Sequence, residues 1–137
     1  MGKSSAHATD YLQLLFQNQN MPNVGDSTGL RGSSSAGGFW IALMTNSVTE
    51  ASYTNYSRLY APRNSSVWQV SGTTVFNKND FTFNYNNGGT QNVTHFAIYT
   101  SQTGGTQIGV GALTANTPIN GGDTPKFLAT DLTITES

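Results

Sequence analysis

Hydrophobic and polar residues alternate along much of the chain with the two-residue period of β-strands. The alternation is clearest in residues 80–85, where every second residue is aromatic. Two further apolar runs, residues 93–100 and 107–113, are joined by a turn with two glycines and predict a β-hairpin. We place this hairpin at the centre of the sheet, because apolar residues lie on both faces of its first strand. The alternating aromatic residues are Phe81, Phe83 and Tyr85.

Several shorter segments complete a β pattern. Residues 39–45 predict a dense apolar strand, and residues 67–76 predict a hairpin across Ser71 and Gly72. Pro62 either confines the short strand before it to a sheet edge or ends it. A last strand is predicted over residues 126–135. Even spacing and Gly- and Asn-rich turns favour an all-β fold, an antiparallel β-sandwich or jelly roll. The expected buried residues are Phe81, Phe83, Phe96, Ile98, Leu113, Leu128, Leu132 and Ile134.

One short helix is predicted near the N-terminus, over residues 6–19, with Thr9 as its N-cap. Its wide apolar stripe either covers one end of the β domain or docks on a partner. Residues 23–38 are rich in Gly, Ser and Thr and have the composition of a linker. The predicted division is therefore a helix and flexible arm over residues 1–38 and a β-sandwich domain over residues 39–137. The stripe and its flanks include Tyr11, Leu12, Leu14, Leu15 and Phe16.

The composition is poor in charge. Charged residues make up 9% of the chain and the net charge is −1, whereas soluble domains average about 25% charged residues. Little electrostatic repulsion therefore separates copies, which favours assembly. The six scattered Lys and Arg residues cannot line a phosphate backbone, so nucleic acid is not an expected partner. No run of residues has the length of a membrane span, so a membrane is not expected either.

The sequence offers little for catalysis. There is no cysteine, the two histidines lack any metal-binding spacing, and the seven acidic residues stand apart in the sequence. His7 lies near the N-terminus, and His95 lies within a strand, where we expect a hydrogen-bonded sheet histidine. We therefore predict no catalytic residue, no cofactor and no metal site, and a protein that is not an enzyme.

The chain resembles, across nearly its whole length, a family of small virion proteins of tailed bacteriophages. The resemblance is carried by residues 10–16, 39–45, 93–99, 111–114, 122–124 and 131–135. Members are labelled tail-fibre-like or phage structural proteins, and some phage capsid cement proteins have a similar size and a jelly-roll architecture. The resemblance implies a location in the virion, after assembly in the host cytoplasm.

The resemblance implies two alternative roles. In the first, the protein decorates and stabilises the capsid, with the major capsid protein or other virion proteins as partners. Such cement proteins commonly sit at three-fold positions, which implies a homotrimer. In the second, it is a tail-fibre or glycan-binding component, because tyrosines in polar surroundings offer flat faces to sugars. Trp40 lies within an apolar strand and is expected in the core instead. The candidate interface residues are Tyr11, Leu12, Leu15, Phe16, Tyr53, Tyr56 and Tyr60.

Overall fold

A computed structural model of the chain describes residues 2–22, 24 and 32–136. Half of the predicted linker, Asn23 and residues 25–31, lies outside these described residues. The described chain contains one helix and nine strands: α1 Ser5–Gln17, β1 Gly38–Met44, β2 Leu59–Pro62, β3 Trp68–Ser71, β4 Thr74–Asn77, β5 Phe81–Thr82, β6 Gln91–Tyr99, β7 Gln107–Ile119, β8 Lys126–Phe127 and β9 Thr133–Thr135. The pairings β1–β6, β3–β4, β4–β9, β5–β8 and β6–β7 are antiparallel, so the all-β prediction with a short N-terminal helix is confirmed. The jelly-roll topology stays a prediction.

The contacts divide the chain into two compact units. The first contains the described residues up to Gly37, Pro62–Asn79 and the described residues from Leu128 onward. The second contains Gly38–Ala61 and Asp80–Phe127. The first boundary falls next to the predicted one at residue 38, but later segments return to the N-terminal unit. The division into an arm over residues 1–38 and a β-sandwich domain over residues 39–137 stays a prediction.

In the first unit, α1 begins earlier than predicted. Its N-cap is Ser4, whose side chain accepts a hydrogen bond from the His7 amide, so the prediction of Thr9 as the N-cap was wrong. The Thr9 hydroxyl instead donates within the helix to the carbonyl of Ser5, and also to that of Gly72. The helix ends at Asn18, which adopts the left-handed conformation typical of a C-cap.

The first unit also contains the three-stranded sheet β3-β4-β9. The hairpin predicted over residues 67–76 is confirmed by the pairing of β3 with β4. The strand predicted over residues 126–135 is interrupted, because the buried Asn77 side chain binds the intervening turn through the Leu128 carbonyl and the Leu132 amide. Leu132 is buried as expected, whereas Leu128 is exposed, so that part of the core prediction was wrong.

The second unit is built on a four-stranded sheet of order β2-β1-β6-β7. The hairpin of β6 and β7 is confirmed. Its first strand lies inside the sheet, with Leu43 opposite Phe96 and Ile41 opposite Ile98. Its second strand is an edge strand and mostly exposed, so the prediction of a central hairpin holds for β6 alone.

A two-stranded ribbon, β5 and β8, packs its aromatic residues in the same unit. The Phe127 ring makes edge contacts with Phe83 at 5.8 Å and with Phe96 at 6.4 Å between centroids. Phe81 and Phe83 are buried as predicted, but the paired strand ends at Thr82 and Tyr85 is exposed. Beyond it, the chain turns around buried Asn86. Among the described residues, no helix is long and apolar enough to cross a membrane.

Candidate interaction site

The candidate residues on α1 divide between buried and accessible positions. Leu12 and Phe16 are each 1% exposed, and the Phe16 ring makes an edge contact with Trp68 at 4.9 Å between centroids. Tyr11 and Leu15 are half-buried, and the Lys3 ammonium lies 5.5 Å from the centre of the Tyr11 ring. A partner would therefore reach Tyr11 and Leu15, whereas Leu12 and Phe16 act as core residues.

Tyr53 belongs to the interior of the second unit, and Tyr56 is half-buried beside it. Tyr53 is 4% exposed, its hydroxyl donates to the Asn84 carbonyl, and burial raises the pKa of this phenol. Tyr56 lies edge-on to Tyr53, with ring centroids 5.3 Å apart, and its hydroxyl donates to Glu50 at 2.6 Å. Burial and the neighbouring carboxylate raise the pKa of Tyr56. The Tyr53 ring is therefore closed to a ligand, and the Tyr56 hydroxyl is engaged within the unit.

Tyr60 is the accessible candidate tyrosine. It lies on β2 with 46% of its surface exposed, and its ring centroid is 5.1 Å from that of Trp40 at an angle of 53°. Trp40, which we expected in the core, is half-buried beside it. Gly38 permits this arrangement, because a Cβ atom there would meet the Tyr60 ring at 2.6 Å. Tyr60 and Trp40 form an aromatic pair at the surface of the second unit.

A charged cluster next to Tyr56 was not predicted. Arg58 forms two hydrogen bonds of 2.9 Å with the Glu50 carboxylate and lies 3.6 Å above the centre of the Tyr99 ring. Its remaining donor bonds the carbonyls of Ser101 and Gly104 at 2.8 Å each. Arg58 therefore connects the loop after β1 to the tip of the β6–β7 hairpin.

The protonation states of this cluster support its structural role. Burial alone would raise the pKa of Glu50, but hydrogen bonds from Arg58 and Tyr56 and the charge of Arg58 lower it overall. The hydrogen bond with Glu50 raises the pKa of Arg58. Both side chains are therefore charged at neutral pH. Arg58 and Glu50 lie more than forty residues from the hairpin tip in the sequence. No local sequence signal therefore marks the cluster.

His95 takes part in the sheet, as expected. Its Nδ1 atom lies 2.7 Å from the Thr94 hydroxyl, which also donates to the Thr45 carbonyl. Within the part of the chain that the structure describes, no group of three or more His, Cys, Asp or Glu side chains is placed to hold a metal ion.

The edge strand β7 is an accessible feature of the second unit's sheet. Ile108 and Val110 are each 41% exposed, and most other residues of the strand are exposed as well. The β7 edge and the aromatic pair are therefore both accessible for contacts.

These features define a charge-poor β-rich protein that offers contact surfaces. The family model described as podophage GP4 fiber I protein gp80 matches residues 3–135. The match covers nearly the whole chain, so the protein belongs to this family of phage fibre proteins. The predicted resemblance to small tailed-phage virion structural proteins is confirmed, and the protein is located in the virion. A search of curated proteins gave no match.

Proposed function

We propose that the protein is a non-enzymatic component of a virion fibre that binds other virion proteins. The family match over residues 3–135 carries this proposal. The Arg58 cluster supports it, because a charged side chain that fixes a hairpin tip makes the contact surface rigid before binding, and preorganisation favours assembly. The hydrogen bonding of His95 within the sheet also supports a structural role.

Capsid decoration is the alternative location within the virion. In that arrangement the accessible helix residues Tyr11 and Leu15 contact the major capsid protein, and three copies surround a local three-fold axis. Quantitative mass spectrometry of purified virions separates the two locations. A handful of copies per particle supports the fibre, whereas hundreds of copies support decoration of the head and contradict the fibre proposal. Immunogold labelling of intact particles shows the location independently.

The aromatic pair favours a further role in the fibre, namely recognition of a host glycan. An exposed tyrosine beside a half-buried tryptophan offers an apolar platform on which a sugar ring stacks. The test measures binding of the purified protein to surface polysaccharide from the propagation host. Tyr60→Ala is expected to abolish binding, whereas Tyr85→Ala, at a tyrosine of similar exposure, is expected to leave it unchanged. Equal binding by both variants would exclude the platform.

A further inference from the structure

The chain contains two Asn-Gly pairs, Asn87-Gly88 and Asn120-Gly121. An asparagine before glycine is prone to lose its side-chain amide spontaneously, because glycine has no Cβ atom to hinder attack by its own backbone nitrogen. In this reaction the glycine nitrogen bonds to Cγ of the asparagine, and ammonia leaves. The asparagine side chain must be free to turn, and the glycine amide must not be held by another acceptor. The structure separates the two pairs on the second condition.

The Asn87-Gly88 pair is held by its surroundings. The Gly88 amide donates to the side-chain oxygen of Asn86 at 2.8 Å, and the Gly88 carbonyl accepts from the Thr54 amide at 3.1 Å. Because Asn86 is 0% exposed, this acceptor cannot turn away into solvent. A Cβ atom on Gly88 would lie 3.3 Å from the Thr54 hydroxyl oxygen, so the glycine is also closely packed. The attacking nitrogen therefore reaches Asn87 only after its own hydrogen bond breaks.

The Asn120-Gly121 pair lies exposed in a turn. The Asn120 backbone amide donates to the Asp123 carboxylate at 2.8 Å, and the Asn120 carbonyl accepts from the Asp123 amide at 3.0 Å. Among the described residues, neither the Asn120 side chain nor the Gly121 amide has a hydrogen-bond partner. A Cβ atom on Gly121 would meet no atom within 4 Å. Ring closure here disturbs only the exposed turn, and the attacking nitrogen is already free.

We propose that Asn120 is a site of spontaneous deamidation in the folded protein and that Asn87 is protected from it. The Gly121 nitrogen forms a bond with Cγ of Asn120, the bond from Cγ to Nδ2 breaks, and the amide proton of Gly121 leaves with the departing ammonia. Water then opens the five-membered ring at either of its carbonyl carbons. The products are aspartate and isoaspartate at position 120, and water is the sole co-reactant. The proposal goes beyond the proposed function and holds for either location in the virion.

The modification changes the charge of the chain where it otherwise has none. The sequence has no Asp, Glu, Lys or Arg from Phe81 to Gly122, so the new carboxylate is the first charge in that segment. It is ionised at neutral pH and lies in the same turn as the Asp123 carboxylate, so the two negative charges repel each other. Isoaspartate also lengthens the backbone by one carbon, which disrupts the turn. The site therefore converts an exposed neutral turn into an acidic one as the protein ages.

The test is ageing of the purified full chain in mildly alkaline buffer, followed by peptide mapping with mass spectrometry. The mass gain at each Asn-Gly pair gives its rate, and chromatography of the peptides separates aspartate from isoaspartate. We expect Asn120 to react at least about tenfold faster than Asn87, which corresponds to about 1.4 kcal/mol of barrier, the size of one hydrogen bond. Gly121→Ala should slow the reaction at Asn120 and leave the rate at Asn87 unchanged, because its Cβ atom hinders only the first pair.

The same measurement in concentrated urea is the control for the effect of sequence alone. Unfolding frees the Gly88 amide from Asn86, so the two rates should converge there. Equal rates at the two pairs in the folded chain would overturn the proposal. So would an unreactive Asn120 in the folded chain when both pairs react in urea. A rate difference that persists unchanged in urea would also overturn it, because the sequence and not the fold would then be the cause.

Discussion

Arg63 should be one of the most important side chains for the stability of the first unit. Its guanidinium donates to the carbonyls of Leu15 at 2.6 Å, Leu14 at 2.7 Å and Ala36 at 2.8 Å. The first two carbonyls belong to the last turn of α1, which has no partners for them within the helix. One side chain thus caps the helix and attaches the segment before β1 to it.

The expected effect follows from these contacts. A hydrogen bond from a charged donor contributes about 1.5–3 kcal/mol, and a cation at a helix C-terminus adds about 0.3–1 kcal/mol. The bonds share one side chain and are partly solvated, so they do not add fully. We expect Arg63→Ala to lower the free energy of unfolding by about 2–4 kcal/mol, a large part of the total of about 5–15 kcal/mol for a domain. Arg63→Lys should recover only the helix-dipole part, because one ammonium cannot span three carbonyls.

Urea denaturation followed by tryptophan fluorescence measures this loss. The chain has two tryptophans, Trp40 in the second unit and Trp68 in the first. In a Trp40→Phe background the signal reports the first unit alone. Lys78→Ala is the control, because it removes one exposed hydrogen bond and should cost less than about 0.5 kcal/mol. The role of Arg63 as a multidentate cap would be refuted by either of two results. In the first, the free energy of unfolding of Arg63→Ala lies within about 0.5 kcal/mol of the parent value. In the second, Arg63→Lys is as stable as the parent.

Three further predictions concern the second unit. Phe96→Ala should destabilise it by about 3–5 kcal/mol in urea denaturation, because a large buried ring is removed; a loss below about 1 kcal/mol would contradict its place in the core. Gly111→Ala should lower the free energy of unfolding by about 1–3 kcal/mol, because its new methyl group would lie 2.9 Å from the Phe96 ring. Gly109→Ala is the control, because its methyl group meets open space and should lower the stability less. Since the folded-state pKa of Glu50 is lowered, its ion pair with Arg58 stabilises the fold above the ordinary pKa of 4.5 and is lost as the pH falls through the lowered value. Melting curves against pH should therefore fall in acid, and less steeply for Glu50→Gln; equal slopes would exclude this linkage.

The sequence predicts hairpins well where a turn determines the pairing. The β6–β7 hairpin forms around Gly104 and Gly105, which both adopt positive φ angles that glycine tolerates best. The strand predicted over residues 126–135 fails because its interruption depends on Asn77, some fifty residues earlier in the chain. Local pattern contains no information on such a contact. The N-cap prediction fails for a local reason, since Ser4 and Thr9 are both suitable residue types and only the backbone decides between them.

Contacts between distant parts of the chain also decide which candidate site residues are accessible. Tyr60 is identifiable as accessible because Pro62 marks its strand as an edge. Tyr53 lies in an equally polar segment, yet its ring is buried, because the Asn84 carbonyl that binds its hydroxyl comes from a distant part of the chain. The Glu50–Arg58 cluster depends in the same way on the hairpin tip. Burial that is produced by long-range contacts is therefore the part of the site that residue type does not predict.

The chain has one long segment without charged residues, and that segment includes exposed strand edges. A β protein usually protects exposed edges with charged residues, and this chain has none between Phe81 and Gly122. Other features must then protect its edges: Pro62 ends β2, and the register shift after residue 112 interrupts the far part of β7. Residues 107–112 contain a second register shift, because Ile98 pairs with Gly109 whereas Tyr99 pairs with Gln107. The two edges of this sheet are therefore protected by proline and by irregular pairing rather than by charge, which explains how a charge-poor β protein can keep exposed edge strands.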